Sequence, residues 1–187
     1  MSRVPIPLLR GPPTDGKITL RPWNDEDVPA VAAAYGDEEM QRWMKIPADF
    51  EEEYARQYLG GREESRRLGQ TLEMAITDAH DLSMLGSVGL VAFDAPERRG
   101  ELGYWVAPHA RGRGVATAAV RLLSQAAFEQ LDLIRLDLIA AVGNAASGRV
   151  AEKAGFTKEG VMRSYLANKQ GGRDDAVMFG LVRGDWA

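Results

Sequence analysis

After Pro108 the hydrophobic period of this chain changes, and that change limits the architectures open to it. Before the proline, Gly100 to Val106 reads as a strand. Beyond it, Ala116, Val120, Leu123, Ala127 and Leu131 recur at steps of 4, 3, 4 and 4, the apolar stripe of a helix. The two are joined by Arg111-Gly112-Arg113-Gly114-Val115-Ala116-Thr117. A strand, a glycine-rich turn and a long amphipathic helix must therefore follow one another in a mixed α/β fold.

The remaining segments extend that pattern. Residues 1–16 hold Pro5, Pro7, Pro12, Pro13 and Gly11 and read as an arm, since prolines at this density break a helix. The single domain is expected over 17–187. Lys17 to Arg21 alternates like a half-buried strand. Asn24 to Asp27 offers a cap and three acids ahead of the apolar run Val28 to Tyr35, although Pro29 sits awkwardly if Asn24 is the cap. Asp49 to Arg67 reads as an amphipathic helix broken at Gly60-Gly61. Thr71 to Thr77, Leu85 to Phe93 and Gly100 to Val106 form an antiparallel meander with turn-rich separators. Leu133 to Val142 is a further buried strand. Asn144 caps a helix that runs to Ala154 and stops at Gly155. Thr157 to Ala167 and Ala176 to Val182 are strands around the turn Gln170-Gly171-Gly172-Arg173. The expected order is β–α–α–β–β–β–α–β–α–β–β, with no internal repeat.

Composition narrows the chemistry. The 187 residues suit one domain of ordinary apolar content (45%) and charge (27%). Without cysteine there is no disulfide, zinc knuckle, iron–sulfur cluster or thiol nucleophile. A net charge of −4 with no basic run gives no electrostatic reason to bind nucleic acid. No apolar stretch approaches the roughly 18 residues of a membrane span, and Met1 to Arg10 lacks a signal-peptide core. A cytoplasmic protein is expected, with no metal site.

The glycine turn is suited to an anion. Glycines admit a ligand close to the backbone, the first helical N–H groups lack partners, and the helix dipole favours negative charge. Gly112-x-Gly114-x-x-Thr117 half-matches a dinucleotide fingerprint, with Asp132 and Asp137 bracketing the expected acid. The antiparallel strands ahead of it argue against that fold, and a P-loop lysine is missing.

Arg111-x-x-Gly114-x-Ala116 resembles the (Arg/Gln)-x-x-Gly-x-(Gly/Ala) signature of the GNAT superfamily of N-acetyltransferases. Glu101 to Pro108 is similar to that family's fourth strand. Asn144-x-x-Ser147 with Glu152 to Phe156 resembles its next block. Leu20-Arg21-Pro22-Trp23 with Asp27, and Arg42-Trp43-Met44, resemble the branch of ribosomal-protein N-terminal acetyltransferases. The resemblance runs in order from about Lys17 to Leu181.

That resemblance implies one domain around a mostly antiparallel mixed sheet of about seven strands, the fourth and fifth splayed apart, with flanking helices. It implies acetyl transfer from acetyl-CoA to a primary amine by direct attack. Tyr104, Trp105 and Val106 would present backbone amides to the cofactor. Arg111, Gly112, Arg113, Gly114, Val115, Ala116 and Thr117 would hold its pyrophosphate, and Asn144 and Ser147 its pantetheine arm. Many relatives carry a proton-donating tyrosine seven positions after this asparagine, where this chain has Ala151. Ser147 is then the expected acid, with Tyr165 as competitor. Glu101 is the expected base, with Glu73 or bulk water as alternatives. The acceptor is a protein N-terminal amine or a small amine, such as an antibiotic. A weakly catalytic acyl-CoA-binding module is the different class of answer. Relatives often dimerise, so a homodimer is an expectation. The substrate walls are expected from residues 36–70 and 168–174.

Overall fold

The computed structural model describes residues 4–44, 46–47 and 52–186. The first strand, β1 (Ile18–Arg21), leads through a 3-10 turn into α1 (Val28–Tyr35). Pro29 occupies the first turn of α1, where no intrahelical N–H bond is lost. The acids before α1 also serve the tertiary fold, since both Asp27 oxygens accept from Arg21, each at 2.7 Å.

A helix that the sequence pattern does not reveal follows, α2 (Glu38–Trp43), capped by Asp37 accepting from Met40 N–H at 3.0 Å. The broken helix divides as its glycines suggest, into α3 (Glu52–Gly60) and α4 (Arg62–Arg67). Asp49 to Glu51 of that segment, and Met1 to Arg3 of the arm, lie outside the described residues. Four short helices thus stand where two are expected from the pattern.

The meander is β2 (Leu72–Asp78), β3 (Met84–Asp94) and β4 (Arg99–Val106). Then come α5 (Val115–Gln130), β5 (Arg135–Ala141), α6 (Ala145–Lys153), β6 (Thr157–Ala167) and β7 (Arg173–Val182). The seven strands form one sheet in the order β1-β2-β3-β4-β5-β7-β6. Every pairing is antiparallel except β4 with β5.

Side chains alternate across β4 and feed two cores. Leu102, with the flanking Tyr104 and Val106, joins the cluster under α5 and α6. Trp105 points the other way, into the cluster of α1, α2 and α3. There it stacks on Trp23 (6.4 Å) and meets the edge of Tyr35 (5.4 Å). The arm is packed against the domain: Ile6 is fully buried in the main core, and its N–H donates to Arg66 O at 3.0 Å.

Candidate active site

The parallel pair β4–β5 is short. It registers Arg99 with Arg135 through Leu102 with Leu138 and goes no further. β5 continues on β7 as far as Ala141, while β4 continues on β3 as far as Val106. Gly103 to Val106 therefore face a gap where a ladder would be, and successive N–H groups alternate between the two edges of a strand. Unpaired strand amides in a cleft are donors waiting for a ligand.

A cleft of about 390 Å³ opens at this gap, between the end of β4, α2 and the starts of α5 and α6. Its α2 wall is held by Arg111. That guanidinium donates to Asp37, to Glu39 (2.9 Å) and to Val106 O (3.2 Å). The ion pair lowers the Asp37 pKa below the ordinary carboxylate value. Arg111 thus ties the glycine turn to α2, and its charge is already matched by two acids.

The rest of the turn is open. Gly112 and Gly114 have φ of +74° and +79°, the left-handed region that glycine enters without strain. A Cβ at either would meet no protein atom within 4 Å. Arg113 is exposed, Val115 is buried in the main core, and Ala116 lines the cleft. Thr117 follows, half-buried in the first turn of α5.

At the start of α6, Asn144 Oδ1 accepts from Ser147 N–H at 3.0 Å, the expected cap. Ser147 Oγ in turn accepts from the Tyr104 hydroxyl at 3.0 Å. Burial raises the Tyr104 pKa, and its bond to Ser147 offsets this only in part, so the phenol is protonated at neutral pH. Ala151, at the position where many relatives carry tyrosine, is fully buried in the main core. Tyr165, on β6, is exposed and lines neither the β4–β5 cleft nor the space beside the β6–β7 hairpin.

Glu101 lies elsewhere. Alternation puts it on the Trp105 face of β4, in register with Ala92 and Asp137. It lines a separate cleft of about 380 Å³ with Thr71, Arg99 and Asp137. Burial first, and then the Asp137 charge, raise its pKa, while Arg99 lowers it. The structure does not bring Glu101 and Ser147 into one cleft; they stand on opposite faces of β4. Glu73 is engaged by the Tyr58 hydroxyl at 2.7 Å and by Arg62. Among the described residues no group of three His, Cys, Asp or Glu side chains could hold a metal. None of the described helices is long and apolar enough to cross a membrane.

Trp43 borders a third space, of about 490 Å³, between α2 and the β6–β7 hairpin. It lines this space and the β4–β5 cleft alike. Its indole rests on Gly143, where a Cβ would sit 3.4 Å from Cη2. Residues 42–44, 46–47, 166–169 and 174 contribute to the walls, so the segments expected to shape a substrate site do meet.

Comparison with known proteins accounts for this arrangement. Residues 17–157 match the acetyltransferase (GNAT) domain. The chain belongs to the GNAT acetyltransferase family. It is 40% identical over 107 residues to the "Putative ribosomal N-acetyltransferase YdaF" of Bacillus subtilis (strain 168), a match covering 57% of this chain and 58% of that one. The chain thus spans about three-fifths of that relative's length. A solved structure described as "Probable acetyltransferase" is 30% identical, with a TM-score of 0.80, over 91% of this chain and 95% of the other. RimL, a ribosomal L7/L12 alpha-N-protein acetyltransferase solved with coenzyme A, superposes with a TM-score of 0.82 at 22% identity. That match covers 94% of this chain and 98% of RimL and shows the shared GNAT fold. The split between β4 and β5, expected from the resemblance, is present here as an end of register.

Two residues of this GNAT site are not legible as such in the sequence. Tyr104 is expected there only for its backbone amide, yet its side chain supports Ser147 across 43 positions. Trp43 stands in a branch motif, and nothing local to it signals that its ring divides two clefts. The signal that could have found α2 is Asp37 followed by Glu38 and Glu39, an N-cap with an acidic first turn.

Proposed function

We propose that this GNAT enzyme transfers acetyl from acetyl-CoA to a primary amine by direct attack, and that the amine is the α-amine of a protein or peptide. The observation that carries the reading is the split strand β4. It offers unpaired amides at the gap, a hydroxyl pair on one face and a half-buried carboxylate on the other. Acetyl-CoA supplies an acetyl thioester. The open left-handed glycines leave room for its pyrophosphate at the start of α5, where unpartnered helical N–H groups favour anions. Amides of Gly103 to Val106 would hold the pantetheine arm and the carbonyl oxygen.

Direct attack forms an N–C bond as the C–S bond breaks, so a proton must leave nitrogen and one must reach sulfur. Those two sites lie on opposite sides of the reacting carbon, which is why an acid and a base on opposite faces of β4 suit the reaction. Ser147, whose oxygen already accepts from Tyr104, has its own proton to give to the thiolate; Tyr104 then restores it. The amine reacts in its neutral form, its first proton having gone to solvent. Glu101, whose raised pKa strengthens it as a proton acceptor, takes the proton that nitrogen sheds as the N–C bond forms, through water, since it lies outside the β4–β5 cleft. The absence of cysteine fits a route without an acyl-thiol intermediate. A peptide α-amine is favoured by the ribosomal name of YdaF, the relative at 40% identity.

The test is incubation with acetyl-CoA and a panel of peptides and small amines, following thiol release and product mass together. A gain of one acetyl on an N-terminal peptide is expected. Stoichiometric cofactor binding without transfer to any amine would overturn the reading.

A further inference from the structure

We infer that the acceptor carries an anionic group close to its reacting amine, which Arg42 and Lys169 recognise; this rests on the acetyltransferase reading above. The space beyond Trp43 adjoins the β4–β5 gap through Ala141, at the end of β5, so an amine approaching the gap from this side passes through it. Among the described residues, the charges that line it are Arg42, Lys169 and Asp174. Both cations are exposed to solvent, and neither forms an ion pair with a carboxylate among the described residues. Most other arginines of the described chain do, including Arg21, Arg62, Arg111 and Arg135.

Among the described residues the one acid on this wall is Asp174, and it is tied to the hairpin turn. Asp174 Oδ1 accepts from Asn168 Nδ2 at 2.9 Å, which closes the hairpin turn. Glu38 and Glu39 face the neighbouring space at the α6 N-terminus, which Arg42 lines as well, and Glu39 is bound by Arg111. Arg42 lies over the Trp43 ring, its guanidinium carbon 4.7 Å from the centroid. Stacking of this kind restrains a long side chain while its N–H groups stay free. A planar donor fork on one wall and an ammonium on the other suit a carboxylate or a phosphate. They oppose a polyamine, whose remaining ammonium groups would meet like charge.

The shared chemistry has two sources, an acidic residue beside a peptide α-amine or the acid group of a small amino compound. Initial rates with the whole protein at saturating acetyl-CoA distinguish them. One arm uses peptides beginning Ser-Asp-Asp, Ser-Gln-Gln and Ser-Lys-Lys. The other uses O-phosphoethanolamine, ethanolamine and spermidine. The anionic member of at least one arm is expected to lead in kcat/KM by about tenfold, the scale of one partly screened charged contact. That lead should shrink as salt rises. The double variant Arg42→Gln, Lys169→Gln should flatten the ranking by raising KM for the anionic acceptor, with the acetyl-CoA KM unmoved. A flat or reversed ranking in the unmodified protein overturns the inference. So does a double variant that slows every acceptor equally. Turnover without charge preference defeats this inference alone; no turnover with any amine defeats the acetyltransferase reading and this inference with it.

Discussion

Ser147 is held at both ends, its N–H by the Asn144 cap and its hydroxyl by Tyr104. A residue so restrained presents its remaining proton in one direction, which is what a donor to a departing thiolate needs. Ser147→Ala should lower kcat at saturating acetyl-CoA, and Tyr104→Phe should produce a smaller loss of the same kind. Both effects are softened because a thiol with a pKa of about 8.5 leaves readily. On the amine side, Glu101→Gln keeps the shape and removes the proton acceptor. The raised pKa of Glu101 means that its basic form is lost as pH falls through a value above the ordinary one for a glutamate. Turnover of the unmodified enzyme should therefore decline on that acid limb. The variant should lose the limb and about 10²–10⁴ of its rate. An unchanged pH–rate profile would move the base to bulk water, since Glu73 is held by Arg62 and Tyr58. Part of this site is legible in the residues: Asn144 as a cap, Glu101 at the head of a strand, Ala151 as a departure. The Tyr104–Ser147 bond is not, because strand and helix periodicity says which face a side chain takes and nothing about its partner 43 positions away.

At the scale of elements, the glycine turn and α5 are the most legible part of the chain. Period two stops, glycine punctuates, and period 3.6 begins. The structure adds that Gly112 and Gly114 are needed for their positive φ, while the space around them is clear. Gly114→Ala should therefore cost about 1–2 kcal/mol of backbone strain, read as a lower urea midpoint. It should also weaken coenzyme A binding by distorting the turn. Equal stability and affinity in the variant would show that the left-handed turn is dispensable. The helix α2 escapes notice because so short a helix makes no stripe, with Met40 its one buried side chain. The strands read well from alternation and turn residues. Where β4 parts from β5 is a matter of pairing, which a strand's own residues do not encode; only the family resemblance points to it.

Across the whole molecule, two cores on opposite faces of one sheet clamp β4 from both sides and keep its end fixed beside the gap. The proline-rich arm contributes to one of them. Ile6 is fully buried and its backbone N–H bonds to the end of α4. Ile6→Ala should cost about 2–5 kcal/mol by leaving a cavity; an unchanged thermal midpoint would show that the arm is not part of the folded unit. Its prolines announce an absence of helix, whereas its burial depends on a tertiary surface assembled from distant residues. The central claim is that donor and acceptor are bound at the β4–β5 gap at the same time and react directly. Two-substrate initial-rate kinetics tests it most directly, with acetyl-CoA and the best peptide varied against one another. Double-reciprocal lines that intersect, the signature of a ternary complex, are the predicted result. Parallel lines, the pattern of an acyl-enzyme that forms before the amine binds, would contradict it.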